Sequence, residues 1–187
     1  MFAQLDTKSV YSFMDSVVDL NTYVKRAKEL GYQSIGLMDR DNLYAAYHFA
    51  QLAIRNGLRP LIGTEANLFY EGRKIPFRLL AKNNQGYKNL MKLATELSSG
   101  QREFTYFSDY LNDIALILPS EDWEPGMSLG SEVFIGVRPE DAGKEFDYPV
   151  VPLHTVRYFE NADRSTIQTL HAISQNVSLS EVSICPM

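Results

Sequence analysis

The segment 31–65 constrains the fold more than any other part of the chain, because its pattern predicts two buried strands joined by a helix. Residues 34–38 form a short apolar run, and apolar side chains then recur at helical spacing from residue 43 to residue 54. Gly57 and Pro60 end that helix, and a second buried strand starts at Leu61. This order predicts a βαβ unit with parallel strands and a right-handed crossover.

Acidic residues follow both predicted strands of this unit. Asp39 comes directly after the first strand, and Glu65 closes the second. Since the carboxyl ends of parallel strands meet at one edge of the sheet, both carboxylates are expected to face a common site. Asp41 is interpreted as the N-cap of the intervening helix.

Strands and helices alternate along the rest of the chain. The patterns predict further strands at 2–6, 66–70, 75–81, 114–118, 133–137 and 148–153. They also predict helices at 84–97, 104–111 and 161–173, one helix that ends near residue 30 and one that begins at residue 138. Residues 71–74 predict a β-hairpin. The alternation predicts an α/β fold with a mostly parallel sheet, in which strands that start near Phe2, Ser34 and Leu61 are adjacent in that order.

Composition narrows the class of protein. A net charge of −5 without a Lys/Arg block argues against this segment holding a nucleic-acid backbone by itself. One cysteine, Cys185, excludes a disulfide framework and fits a reducing cytoplasm. No apolar run reaches membrane-spanning length, and three histidines are too few for a His-rich polynuclear metal site.

Four motifs point to one family. They are QLDTKSVYSFMD at 4–15, LMDRDNL at 37–43, GLRPLIGTE at 57–65 and GYKNL at 86–90. These segments resemble the N-terminal PHP (polymerase and histidinol phosphatase) domain of the alpha subunit of bacterial DNA polymerase III, DnaE type. The corresponding family patterns are H-L-H-x-H-S-x-Y-S-x-x-D, L-T-D-H-G-N-L, G-I-K-P-I-I-G-x-E and G-Y-x-N-L.

The resemblance implies a distorted seven-stranded (βα) barrel, mostly parallel and similar to the TIM barrel. Whether the barrel is complete in this chain stays open. Residues 1–176 are assigned to the PHP domain, and 177–187 to an irregular tail that leads to the remainder of a longer polymerase chain. Polymerase chemistry is expected in that remainder, because no acidic polymerase motif occurs in this chain.

The resemblance also implies a site for two or three metal ions, held by histidines and carboxylates at the strand ends. Paired metals activate water against a phosphoester. Carboxylates occupy three of the corresponding positions, Asp6, Asp39 and Glu65, although Asp6 stands where the family has a histidine. The ligand positions replaced by other residue types are Gln4, Lys8, Arg40, Thr155 and Arg157.

Two interpretations of these positions are possible. The three carboxylates could form a residual site for a single Mn, Zn or Mg ion. Alternatively, they are vestigial carboxylates held by neighbouring cations, which the sequence favours because Lys8, Arg40 and Arg157 add positive charge where a metal would sit. We therefore predict no metal, no cofactor and no catalytic residue, and at least one of these cations within about 4 Å of a carboxylate.

The histidines and the cysteine are weaker candidates. His48 is predicted to be a partly exposed helix residue, and His171 a packing or surface residue. His154 is closer to the strand ends and could reach the site, but no second histidine accompanies it. Cys185 has no neighbouring base, so a nucleophilic role is not expected.

Two functions remain open. The resemblance favours a non-catalytic scaffold domain of a cytoplasmic replicative polymerase, a nucleotidyltransferase that synthesises DNA. Its main partner would be the remainder of its own chain. Other replisome subunits are possible partners, DNA would be bound by the full-length protein rather than by this domain, and no membrane contact is expected. The alternative is an active metal-dependent phosphoesterase or proofreading 3′–5′ exonuclease. A third and more distant possibility is a free-standing PHP phosphatase. The lost metal ligands argue against the active PHP domain and against the free-standing phosphatase.

Overall fold

The computed structural model describes residues 3–100, 103–130, 132–141 and 143–182. The strands are β1 Asp6–Thr7, β2 Ser34–Arg40, β3 Arg59–Tyr70, β4 Arg73–Ala81, β5 Ile114–Pro119, β6 Val133–Val137, β7 Val150–Pro152 and β8 Thr155–Val156. The α-helices are α1 Leu20–Glu29, α2 Ala46–Arg55, α3 Asn84–Ser98 and α4 Asp163–Gln175. Short 3-10 helices cover Phe104–Tyr110, Pro139–Asp141 and Leu179–Glu181. No helix within these ranges is long and apolar enough to cross a membrane.

Strands β2 to β7 form one six-stranded sheet in chain order, curled into half of a barrel. The pairs β2–β3, β5–β6 and β6–β7 are parallel, whereas β3–β4 and β4–β5 are antiparallel. The parallel pair β2–β3, with α2 between its strands, confirms the predicted βαβ unit. The α/β class is confirmed, and the antiparallel strand β4 interrupts the parallel order.

The first strand differs from its prediction. Within the described residues it covers only Asp6–Thr7, and it pairs in parallel with β8 in a separate two-stranded sheet. Phe2, where the strand was expected to start, lies outside the described residues. The first segment lies beside the predicted neighbour β2, and the two are joined by an isolated parallel bridge between Gln4 and Ile35. The first segment therefore connects the two sheets.

Gly36 allows this close approach. Its N–H donates to the carbonyl of Gln4 at 2.7 Å. A Cβ at this position would lie 2.3 Å from the carbonyl oxygen of Leu5, well inside any tolerated contact. Only a glycine lets the first segment pass this near to β2.

The helix ends follow ordinary capping chemistry, with one correction. Asp19 caps α1 by accepting from the N–H of Thr22, and Gly31 follows the helix at a φ of 78°. Asp41 is not the N-cap of α2 as predicted, because the cap position is Ala45. Asp41 has a φ of 54°, and its carboxylate accepts instead from the backbone and side-chain N–H groups of Asn67.

The segment 59–70 is one twelve-residue strand rather than the two strands predicted at 61–65 and 66–70. It continues into β4 through the predicted hairpin, whose turn is Glu71-Gly72 with φ values of 50° and 78°. Two positive φ values are typical of a tight two-residue hairpin. The length of β3 places Glu65 in the middle of a strand, directly opposite Arg78 on β4.

Two hydrophobic cores cover the sheet. One lies between β2 and the helices α1 and α2 and includes Tyr23, Phe49 and Ile35. The other packs α3 and the 3-10 helix Phe104–Tyr110 against β3 to β6 and includes Phe77 and Leu90. Together they fix the carboxyl ends of β1 and β2, where the polar residues collect.

The region assigned to an irregular tail is partly ordered. Residues Leu179–Glu181 form one 3-10 turn with a capping box on Ser178, and Gln168 donates to the carbonyl of Leu179. Cys185 and the rest of 183–187 lie outside the described residues. The domain boundary at residue 176 stays a prediction.

Candidate functional site

A buried lysine lies at the centre of the site. Lys8 follows β1, and its ammonium is 2.9 Å from the carboxylate of Asp6 and 3.0 Å from that of Glu65. It also donates to the carbonyl of Met38 at 2.6 Å. All three charged side chains are buried. This is the ion pairing predicted for the former ligand positions.

Arg78 is a second buried cation at the same carboxylates. Its Nε lies 3.0 Å from Asp6 Oδ2, and its Nη2 lies 3.3 Å from Glu65 Oε2. A third nitrogen donates to the carbonyl of Pro76 at 2.6 Å. Arg78 was not among the predicted site residues, although an arginine between Phe77 and Leu79 in an otherwise apolar strand was the available signal.

Two of the replaced ligand positions have become hydrogen-bond donors. The hydroxyl of Thr155 donates to Asp6 Oδ2 at 2.7 Å. The amide of Gln4 donates to the carbonyl of His154 at 2.7 Å and to that of Asp6 at 3.3 Å. Both side chains therefore join the first segment to the region around β8.

A second cluster forms around Asp15, which is buried. Its two carboxylate oxygens accept from Arg40 Nη2 at 2.8 Å and from Arg157 Nε at 2.9 Å. His171 Nε2 lies 2.9 Å from the same carboxylate, so this histidine belongs to the site rather than to the surface or packing role predicted for it. Arg40 Nε is also 2.9 Å from Glu65, which links the two clusters.

Asp39 does not converge with Asp6 and Glu65 as expected. Its carboxylate accepts from the backbone N–H of Ser9 at 2.6 Å and from the hydroxyls of Ser9 and Ser12 at 2.7 Å each. These donors hold the loop after β1 against the end of β2. Asp39 thus fixes a loop, whereas the two other carboxylates hold the cations.

The cations set the protonation of the buried carboxyls. Burial by itself would raise the pKa of both Asp6 and Glu65. The charges of Lys8 and Arg78 outweigh burial, so the pKa of Asp6 lies well below its usual range and that of Glu65 falls from 4.5 to about 2. Burial opposes the charge of Arg40, but Glu65 and Asp15 raise its pKa. Asp6, Glu65 and Arg40 are therefore charged at neutral pH.

A family model described as PHP domain matches residues 4–125 of this chain. The chain belongs to the PHP domain family. The matched range contains β1 to β5 and with them Lys8, Arg40, Glu65 and Arg78. It ends before the region of Thr155 and Arg157.

Relatives of this PHP domain are polymerase subunits. The DNA polymerase III subunit alpha of Streptococcus pyogenes serotype M1 is 46% identical over 186 residues, which are 98% of this chain and 18% of that protein. The subunit alpha of Bacillus subtilis (strain 168) is 33% identical over 126 residues, 64% of this chain and 11% of that protein. This PHP domain is therefore homologous to the N-terminal region of the subunit, and it spans less than a fifth of the relatives' length.

A solved structure with a distant likeness is an amidohydrolase from Chromobacterium violaceum with bound sulfate and no metal. It aligns at 18% identity with a TM-score of 0.44 and covers 52% of this chain and 33% of that chain.

The residues at the PHP site do not fit a metal ion. Within the described ranges, no group of three or more His, Cys, Asp or Glu side chains could hold one. The oxygens of Asp6 and Glu65 that face each other are bridged by Lys8, and those of Asp15 by Arg40 and Arg157. A divalent ion would have to displace these cations or lie beside them, and both are unfavourable.

Among the described contacts of the site, none comes from the side chain of His48 or His154. His48 is exposed on α2, as predicted. His154 has an exposed side chain and contributes its backbone carbonyl to Gln4. Cys185 lies outside the described residues. Sequence analysis also gave no role to Asp15, whose partners Arg157 and His171 are 142 and 156 positions away.

Proposed function

We propose that this chain is a degenerate, non-catalytic PHP domain that serves as a scaffold within a DNA polymerase III alpha subunit. The observation that supports the proposal best is the position of the Lys8 ammonium between the carboxylates of Asp6 and Glu65. In an intact site of this family the same region would hold metal ions. Here a fixed side-chain cation supplies the positive charge.

Charge balance supports this proposal. The carboxylates of Asp6, Asp15 and Glu65 contact the side chains of Lys8, Arg40, Arg78 and Arg157. Opposite charges at these short distances compensate each other, so the carboxylates need no metal. Arginine suits this role because its planar group donates to two carboxylates at once, as Arg40 and Arg78 do.

The described side chains at this site do not provide the groups that metal-assisted hydrolysis requires. Metal-assisted cleavage of a phosphoester needs an ion that activates water and stabilises the developing negative charge. The carboxylates that could bind such an ion, or act as a base, are already held by cations or by serine donors. No step through a metal follows from this arrangement.

The length of the relatives supports the proposed scaffold role. Because the chain spans 18% of the Streptococcus pyogenes protein, we infer that it is the first part of a polypeptide that synthesises DNA elsewhere in its length. DNA binding and nucleotidyl transfer belong to that remainder. We further propose that other replisome subunits are partners of the full-length protein and that this protein is located in the cytoplasm.

We also infer that the two sheets close into the distorted seven-stranded barrel expected for the family. Supporting contacts are the bridge between Gln4 and Ile35 on one side and the β1–β8 pair on the other. Strands β7 and β8 are separated by only two residues, so they can act as one bent strand. In that arrangement Lys8 lies at the rim of the closed barrel.

Hydrolysis assays with a metal titration test this proposal. The purified chain is supplied with Mn²⁺, Mg²⁺ or Zn²⁺ and a phosphoester or a 3′-labelled DNA strand, while its melting temperature is followed against metal concentration. We expect no hydrolysis and no rise in melting temperature, because only a ligand of the folded state raises it. Metal-dependent hydrolysis that is lost in Asp39→Ala and in the milder Asp39→Asn would overturn the proposal and establish the phosphoesterase or exonuclease.

A further inference from the structure

An exposed phenylalanine lies next to the buried charge network. Phe13 is 86% exposed, although Ser12 directly before it and Asp15 two positions after it are almost completely buried. An isolated exposed apolar side chain is ordinary on a protein surface. An exposed phenylalanine between two buried residues is less common, because here the backbone of the turn directs the side chain away from the interior.

The turn that carries Phe13 is fixed in place. Ser12 donates to the carboxylate of Asp39 and accepts from the N–H of Arg40. Asp15 is held by Arg40, Arg157 and His171. Because Ser12 and Asp15 are both anchored, the backbone of the turn is held in place, so a partner that binds Phe13 need not order this loop.

Three more apolar side chains are exposed on α2 and in the loop that precedes it. Tyr44 is 80% exposed, Tyr47 74% and Ile54 62%. Tyr47 and Ile54 are seven positions apart on the helix and so share one face. Asn42, two positions before Tyr44, donates to the carbonyl of Tyr11, which joins the turn to the start of α2. We call Phe13, Tyr44, Tyr47 and Ile54 the outer apolar surface.

We infer that the outer apolar surface is where the remainder of the longer polypeptide docks onto this domain. The inference rests on the proposed scaffold function, and it names the surface through which that function acts. The expected occupant is an apolar face of the polymerase remainder. Relatives match 98% of this chain within a protein more than five times longer, so most of the polypeptide lies outside this structure.

The chemistry of the surface favours a protein face over a nucleic acid. Aromatic side chains, above all tyrosine, are enriched at protein interfaces and at their most strongly binding positions. A nucleic-acid surface would need cations that are free to bind phosphate. Beside the turn, Arg40 is engaged by Glu65 and Asp15, and the exposed Asp41 adds negative charge. The exposed Arg55 follows Ile54, but a single arginine is not the cluster of cations that a phosphate backbone requires.

Side-chain footprinting with hydroxyl radicals tests the inference directly. The rates of modification at Phe13, Tyr44 and Tyr47 are compared between the 187-residue chain and the full-length polypeptide that contains it. We expect the rates to fall about tenfold in the full-length polypeptide, because side chains at the core of an interface become as buried as those of a protein interior. Equal rates in both proteins would overturn the inference.

A double variant separates docking from folding. Phe13→Ser with Tyr47→Ser should leave the melting temperature of the 187-residue chain unchanged and lower that of the full-length polypeptide. The matched control Met91→Ser, on the exposed side of α3 in the other core region, should change neither. If the double variant has no effect on the melting temperature of the full-length polypeptide, the inference is overturned. The scaffold role would then depend on another surface of the domain. Concentration-dependent dimers of the 187-residue chain that the double variant abolishes would assign the surface to a second copy instead.

Discussion

The ammonium of Lys8 lies 3.0 Å from the carboxylate of Glu65, and neither side chain has appreciable contact with solvent. A buried ion pair of this kind costs desolvation energy on both sides, so its net contribution to stability is small. Removing one partner is different, because the other charge is then left buried without compensation. Several of the predictions below use this asymmetry.

Lys8→Met should destabilise the chain by about 3–5 kcal/mol, the range for breaking a buried pair from one side. Asp6 would lose its closest cation, and Glu65 would lose one of the three cations that contact it. The free energy of unfolding from urea titration measures the effect. Lys82→Met is the matched control, since Lys82 pairs with Glu132 at the exposed surface and should contribute less than about 1 kcal/mol. Equal losses in the two variants would contradict the prediction.

Arg78→Met should destabilise the chain more than Arg40→Met does. The Arg78 side chain is 8% exposed, whereas that of Arg40 is 40% exposed and can still be hydrated. We expect roughly 3–5 kcal/mol for Arg78 and about 1–2 kcal/mol for Arg40. Urea titration of both variants at neutral pH gives the order, and the reverse order would show that burial does not control these contributions.

Stability should fall in acid through the titration of Glu65. Its pKa in the folded chain is about 2, below the ordinary 4.5. A depressed pKa contributes stability that is present above the unfolded value and is lost as the pH falls through the folded value. The loss between these limits should amount to up to about 3 kcal/mol.

Variants at two glutamates isolate this effect. Glu65→Gln removes the titrating group, so its free energy of unfolding should be lower at neutral pH but change less between pH 4.5 and 2, the limits set by the shift of Glu65. The control Glu132→Gln, at an exposed pair, should keep the slope of the unaltered chain. An unchanged slope in Glu65→Gln would refute the assignment.

Gly36→Ala should destabilise the chain by about 1–3 kcal/mol or more, the range for overpacking a well-packed site. The added methyl group would meet the carbonyl oxygen of Leu5 at 2.3 Å, and a backbone atom cannot rotate away as a side chain can. Thermal unfolding provides the measurement. Ser34→Ala at the start of β2 adds no such contact and serves as the control; a comparable loss there would point to strand propensity instead.

The βαβ unit could be predicted from sequence because its evidence is local. The apolar run before Asp39, the helical spacing after it and the stop at Gly57 all lie within the unit. Lys8 and Arg40 could likewise be placed near carboxylates, because the family resemblance puts both at ligand positions of the metal site, and their ion pairs are present.

The rest of the site depends on distant pairing that periodicity does not encode. Arg78 reaches the network because β4 pairs antiparallel with β3 in a register that sets Arg78 opposite Glu65. Asp15 finds its partners on parts of the chain that only tertiary packing brings close. Asp41 was misjudged for a local reason, since aspartate tolerates the left-handed backbone that it adopts here as well as it caps helices.

The parallel pairing of β1 with β8 also has a consequence for synthesis on the ribosome. Asp6 and Thr155 are 149 positions apart. At about 5–20 residues per second, the nascent chain needs roughly 7–30 s to make the second strand after the first. During that interval β2 has already been made, so the first segment can form its bridge to β2, between Gln4 and Ile35, before β8 exists. The segment that contains β1 is thus made long before the strand that completes its hydrogen bonds.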